Sequence, residues 1–136
     1  RPGRYWVHYD LGRALHARGR AQAAMTVFER AVRLEPERVD ALSAAGAVAL
    51  SSGDLSRARE YLVRAMAADV DYLPARINMG LLEVGAQRYE VGIELLEAVI
   101  DRVTDPAPLW SALAGAYRAT GQIQKARAAM AAARAR

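Results

Sequence analysis

The chain repeats itself every thirty-four residues, and that period constrains its fold more than any other feature. Gly12, Gly46 and Gly80 are thirty-four apart, with Ala114 in the fourth place. Ala24, Ala58, Gly92 and Ala126 form a second series of small residues at the same interval, and Phe28, Leu62, Leu96 and Met130 a third that is large and apolar. Ala31, Ala65, Val99 and Ala133 lie about one helical turn beyond the third series, while Gly19, Gly53 and Gly121 form a turn series that Gln87 interrupts. A fixed period of roughly 20 to 50 residues marks a chain built by stacking one supersecondary unit on the next.

Within each period the apolar spacing is helical. Leu11 and Leu15 are four apart, Gly19 interrupts, and Ala24, Phe28, Ala31 and Leu34 follow at helical intervals before Pro36. The pattern is helix, turn, helix, stop, and with 30 alanines among 136 residues the chain is rich in the best helix former. A small residue on the first helix, such as Gly12, is expected to face a small one on the second, such as Ala24, so that two antiparallel helices cross closely and the large residue fills the gap beside them. Neither helix buries its apolar face alone, so each pair must stack on its neighbour. The spacing predicts helices over residues 4–18, 21–34, 38–51, 55–68, 72–85, 89–102, 107–119 and 123–135. They form one domain, 1–136, of units 5–38, 39–72, 73–106 and a shortened 107–136.

Composition removes several function classes. No cysteine is present, which excludes a disulfide framework, a thiolate nucleophile and cysteine-ligated metal sites. No run approaches the roughly 18 apolar residues of a membrane span, and no membrane role is expected. The first residue is Arg1, followed by Pro2, which suggests a segment of a longer protein; the compartment stays open, with the cytoplasm expected. The net charge is +4, yet eighteen of the nineteen basic residues are arginine, a bias that suits a high-GC genome and a bacterial source. The charge is also uneven, +4 over residues 1–38, −2 over 39–72, −3 over 73–106 and +5 over 107–136. A continuous phosphate-tracking stripe is interrupted halfway, so nucleic acid is not the expected partner.

These residues resemble the tetratricopeptide repeat, whose Trp, Leu, Gly, Tyr, Gly, Ala, Phe, Ala, Pro pattern runs over thirty-four positions. The fourth unit supplies Trp110, Leu113, Ala114, Tyr117, Gly121, Ala126, Met130 and Ala133, and the first supplies Leu11, Gly12, Gly19, Ala24, Phe28, Ala31 and Pro36. The third departs most, with Glu83 where an aromatic is usual, Gln87 for the turn glycine and Gly92 for the alanine. Its Leu73-Pro74 start and Asp105-Pro106-Ala107-Pro108 exit are expected to alter the local packing angle.

The resemblance implies an all-α, right-handed superhelical solenoid of antiparallel helix pairs, a protein–protein interaction scaffold with no catalytic residues, no metal and no cofactor. It implies a concave groove lined by the first helix of each pair: Tyr9, Arg13 and His16; Ser43, Ala47 and Leu50; Ile77, Leu81 and Val84, with Asn78 beside them; and Ser111, Gly115 and Arg118. A subclass that clamps the acidic tails of heat-shock proteins needs lysine, asparagine and arginine at fixed groove positions. Here Tyr9, Arg13, Ala44, Pro74 and Asn78 occupy those positions, so the clamp is missing. The expected partner is a protein or peptide, an apolar or amphipathic segment with acidic flanks. Leu50, Ile77, Leu81 and Val84 would form the floor, with Arg13 and Arg118 at the ends. Two other readings stand beside it: an RNA-binding helical-repeat array, and a structural or oligomerisation arm that self-associates through the array ends.

Individual residues sharpen these expectations. His8 and His16 are the only histidines and have no partner pair at metal-ligand spacing; His8 reads as a core residue and His16 as a groove contact or solvated helix end. Tyr5 and Trp6 read as the remnant of packing against a preceding repeat, and Trp110, Tyr117, Phe28 and Met130 as core. Glu90, Glu94 and Glu97 share one helix face and read as solvated. Lys125 to Arg136 reads as a basic amphipathic helix. No Ser-His-Asp set, phosphate-cradling loop or Gly-x-Gly signature occurs, so enzymatic activity is not expected.

Overall fold

Left-handed residues punctuate the chain at the turn series. In the computed structural model, which describes residues 3–135, Gly19, Gly53, Gln87 and Gly121 have φ of 77°, 80°, 65° and 79°. Expectations attached to Arg1, Pro2 and Arg136 lie outside the described residues. Gly19 ends α1 (Arg4–Ala17), with its N–H on the carbonyl of His16 at 3.0 Å and the N–H of Arg20 on that of Leu15 at 2.9 Å. This pair of bonds is the Schellman closure, and it needs a residue at positive φ, which glycine adopts without a Cβ clash. The same pair closes α3 (Val39–Ser51), α5 (Leu73–Gly85) and α7 (Ala107–Ala119). At the third of these turns Gln87 accepts the left-handed conformation against its side-chain preference.

Each turn leads within three residues into a second helix: α2 (Ala21–Leu34), α4 (Leu55–Ala68), α6 (Tyr89–Val99) and α8 (Ile123–Arg134). Connections this short fold each helix back along its predecessor. Among the described residues there is no strand, and the fold is all-α. Seven of the eight expected helices end within a residue of prediction. The exception is α6, expected to run to 102: it stops at Val99, and Ile100–Arg102 tightens into a 3-10 turn that keeps Ile100 buried.

The residues cluster into two compact bodies, Arg1–Asn78 and Met79–Arg136, so the division falls inside α5. In the first body the recurring glycine makes close approach possible. A Cβ on Gly12 would lie 2.5 Å from the Phe28 ring, and one on Gly46 2.7 Å from Leu62. In the second, one on Gly80 would lie 2.6 Å from Leu96. The small residue is thus required against the large residue of the partner helix, and small positions also meet as the spacing suggested: a Cβ on Gly46 would lie 3.6 Å from the Ala58 carbonyl oxygen, and one on Gly92 3.4 Å from that of Gly80. Phe28, Leu62 and Leu96 are fully buried as a result, and Ala24 and Ala58 are buried on the same helices.

Expectations for five individual residues change. Tyr5 is buried inside the first body, where its hydroxyl accepts the Ala41 N–H of α3 at 2.9 Å, so it is not a remnant of outside packing. The Arg38 guanidinium lies 5.3 Å from the Tyr5 ring and 4.9 Å from that of half-buried Trp6, closing the aromatic cluster. His8 is half-buried rather than core, with Nδ1 2.8 Å from its own helix's Arg4 carbonyl. Phe28 and Tyr117 are core, but Trp110 and Met130 are only half-buried. For Met130 the reason is that no helix packs on the outer side of α8 among the described residues. Lastly, Glu97 is not purely solvated, because the Tyr117 hydroxyl of α7 donates to it.

Polar ties fasten the helix pairs. In the first body Glu29 of α2 receives Arg57 and Tyr61 of α4. In the second, Glu83 is only 3% exposed, where the repeat pattern has an aromatic, and Arg88 beyond the turn pairs with it at 3.3 Å. A buried carboxylate requires such a partner.

Candidate functional site

Residues three and four apart on a helix share a face, and three such faces meet in the first body. Tyr9, Arg13, His16 and Ala17 of α1, Asp40, Ser43, Ala44 and Ala47 of α3, and Pro74 and Asn78 of α5 line one cleft of about 470 Å³, with Phe28 and Tyr72 completing it. Six of the expected groove residues are brought together here: Tyr9, Arg13, His16, Ser43, Ala47 and Asn78. Small side chains at Ala17, Ala44 and Ala47 leave the hollow, and the rings of Tyr9, Phe28 and Tyr72 supply its apolar surface. Leu50 and Ile77 are half-buried and do not line the cleft, so its apolar character comes from rings and alanines rather than from the expected aliphatic floor.

The polar groups of the cleft are unevenly satisfied. Arg13 sits over the Tyr9 ring at 5.7 Å and has no carboxylate partner among the described residues. Ser43 is 3% exposed, and its hydroxyl has no hydrogen-bond partner among the described residues; the Asn78 amide likewise has none. His16 places Nε2 3.4 Å from the Ser51 hydroxyl. The Tyr72 hydroxyl reaches Asp40 at 3.5 Å. Burial, then the charge of Asp40 and the neighbouring Tyr9, push the Tyr72 phenol up to about 12, and Arg13 opposes the shift. Tyr72 therefore remains a neutral donor at ordinary pH.

Asp40 and Tyr72 were not among the expected site residues. They flank the helix faces on which the repeat pattern places groove contacts: Asp40 stands in the first turn of α3, and Tyr72 immediately precedes α5. A signal for Tyr72 existed in its pairing with Arg38, thirty-four residues earlier. Both N–H groups close the same turn, onto Glu35 and Asp69 respectively, each at 3.2 Å.

The remaining expected residues lie in the second body. Leu81 and Val84 are half-buried on α5, and Val84 packs where a Cβ on Gly92 would fall. Ser111, Gly115 and Arg118 are exposed along one face of α7. Elsewhere in the first body a hollow of about 760 Å³ follows the helix connectors, lined by Glu35, Glu37, Asp40 and Asp69 with Arg38. Its guanidinium is already engaged, 3.1 Å from Glu35. Among the described residues no three His, Asp or Glu side chains are grouped to hold a metal ion, and no helix is long and apolar enough to cross a membrane.

Tetratricopeptide repeat profiles match residues 15–79 and 77–136, and so account together for most of the chain. No curated protein matches it in sequence. Among solved structures, MamA from Desulfovibrio magneticus RS-1 is similar at 20% identity and a TM-score of 0.81, over 97% of this chain and 75% of that one. A second MamA crystal structure has a TM-score of 0.79 at 20% identity, over 97% of this chain and 77% of that one. PilF of Pseudomonas aeruginosa has a TM-score of 0.79 at 21% identity, over 95% of this chain and 59% of that one. At such identities the likeness is one of fold. Both halves of the sequence carry the repeat, the four turns close in the same way and the helical array is shared with these structures: the chain belongs to the tetratricopeptide repeat family.

Proposed function

We infer that this protein-interaction scaffold, as its family membership makes it, binds a peptide or helix end of a partner protein in the cleft walled by α1, α3 and the start of α5. One observation carries the reading: the unspent hydrogen-bonding groups of Arg13, Ser43 and Asn78 line the same hollow. These groups meet the solvent of the cleft, since no buried side-chain polar atom among the described residues lacks a partner, and a ligand that displaces that solvent must supply equivalent hydrogen bonds. A peptide backbone offers both a donor and an acceptor per residue, which suits Ser43 and Asn78. An acidic side chain beside it suits Arg13, and small apolar side chains suit the space above Ala44 and Ala47. In this reading the chain is a binding module and performs no chemistry.

Asp40 in the same cleft speaks against a phosphate-tracking use, since a nucleic acid would meet a carboxylate there. The reading is tested by selecting binders from a displayed peptide library and measuring their affinity for the parent and for Arg13→Glu and Asn78→Ala variants. Both replaced residues sit at the cleft surface, and circular dichroism checks that the helices are retained. Affinity should fall about tenfold or more for Arg13→Glu. Selected peptides that bind both variants as tightly as the parent would place recognition elsewhere.

A further inference from the structure

The cleft of the first body does not end at its own rim. Asp40 lines it and also lines the hollow of about 760 Å³ that follows the helix connectors, so the two spaces meet at this carboxylate. The joined surface carries opposite charge on its two sides. On the cleft side Arg13 lies 5.7 Å from the Tyr9 ring and has no carboxylate partner among the described residues. On the connector side Glu35, Glu37, Asp40 and Asp69 face one guanidinium, that of Arg38, which is engaged 3.1 Å from Glu35. Asp40 accepts from the Tyr72 hydroxyl at 3.5 Å, and neither it nor exposed Glu37 is in an ion pair among the described residues.

The helical register sets the distance between the two charges. Arg13 is thirty-four residues before Ala47 and therefore level with it, and Ala47 stands seven residues beyond Asp40 on α3. Seven residues of helix rise about 10 Å, which an extended chain spans in about three residues. Between the charges lies Ser43, three residues from Asp40 on the same face of α3. Its side chain is 3% exposed and its hydroxyl lines the cleft without a partner, an anchor for a peptide backbone. We propose that the cleft binds an extended segment of a partner protein that carries both charges, an acidic side chain at Arg13 and a lysine or arginine at Asp40, with further basic residues entering the connector hollow beside Glu37. The proposal rests on the reading of the cleft as a peptide site and adds what the peptide carries: one acidic flank, as expected from the sequence, and one basic flank, which was not.

The probes are two displayed libraries of short peptides that compete for the immobilised protein. One fixes a glutamate and a lysine about three positions apart, in both orders, and the other fixes two glutamates; all other positions are random. The parent should enrich the glutamate–lysine library about tenfold or more, and peptides selected from it should bind less tightly as salt is added. The double variant Glu37→Gln, Asp40→Asn keeps the shape of both side chains and should lose that preference, with circular dichroism and Tm as checks on folding. The proposal is overturned if the parent enriches both libraries alike or if the variant prefers lysine as strongly as the parent. If the selected peptides lose affinity in Arg13→Glu but show no preference for lysine, this inference fails and the peptide reading stands; if neither library is enriched, both fail. A dimer in sedimentation that Asp40→Asn dissolves would also overturn the proposal, by assigning the surface to a second copy.

Discussion

The phenolic oxygen of Tyr5 accepts the backbone N–H of Ala41 at 2.9 Å, across thirty-six residues of sequence. Ala41 is the third residue of α3, one of the first-turn positions that lack an intrahelical acceptor. The side chain at Arg38, which precedes the helix, makes no cap bond, so a tyrosine from α1 performs the task. Replacing Tyr5 with phenylalanine keeps the ring packing and leaves that N–H buried and unpaired. The expected cost is about 1 to 3 kcal/mol, read as a lowered Tm. An unshifted Tm would mean that the bond does not form in solution.

Alanine at two helical glycines should act with opposite signs. At Gly46 a Cβ would meet Leu62 at 2.7 Å, so Gly46→Ala overpacks the first body and costs about 1 to 3 kcal/mol. At Gly115 nothing lies within 4 Å, so Gly115→Ala gains about 0.5 to 1 kcal/mol by removing glycine from a helix interior. Urea unfolding of the two variants decides the matter, and shifts in the same direction would contradict the packing described for Gly46.

Gln87 is the one non-glycine at a positive φ among the described residues, in a turn whose three counterparts are glycine. Gln87→Gly should stabilise by about 1 kcal/mol, the cost of a left-handed conformation for an ordinary side chain. The midpoint of denaturant unfolding should rise with its slope unchanged.

Alkali should weaken the fold. Burial and the adjacent Glu97 push the Tyr117 phenol up to about 12; Tyr72 is raised to the same region, and Tyr5 and Tyr61 are raised as well. The folded chain therefore holds protons that the unfolded chain releases near pH 10. Their contribution to stability is intact below about pH 10 and is lost as the pH climbs through 10 towards 12. Stability measured by urea in steps across that range should decline, and Tyr117→Phe should make the decline shallower. A flat profile would remove these phenols from the account.

The recurrence of Gly12, Phe28 and Gly19 made the helix pairs legible, because close approach and a left-handed turn are each demanded of one residue at one place. Burial at the end of a stack was less legible. Met130 occupies the same register as Phe28 and Leu96, and register alone does not reveal whether a following helix covers it. The site was legible where it sits on the first-helix faces, in Tyr9, Arg13, Ser43, Ala47 and Asn78. It was missed where the chain enters a helix, at Asp40 and Tyr72, since the repeat pattern places its groove contacts further along the first helices than these two residues. Tyr5 was misread because its partner is a backbone group, which no side-chain pattern announces.

In all four helical hairpins the residue that completes the turn, Arg20, Asp54, Arg88 or Gln122, also stands immediately before the next helix. One residue closes a helix with its N–H and opens another with its carbonyl, accepting from Ala24, Ala58, Gly92 and Ala126 respectively. There is no spare link in these hairpins. An extra residue inserted at one of them would break the closure or the opening; Arg38 and Tyr72 serve in the same two ways, with N–H groups on Glu35 and Asp69 and carbonyls accepting from Leu42 and Arg76, whereas around Thr104 the two tasks fall to different residues, Val103 and Pro106. Growth of this chain by insertion is thus channelled to the joint around Thr104, where added length alters what the scaffold displays without unmaking the pieces it is assembled from.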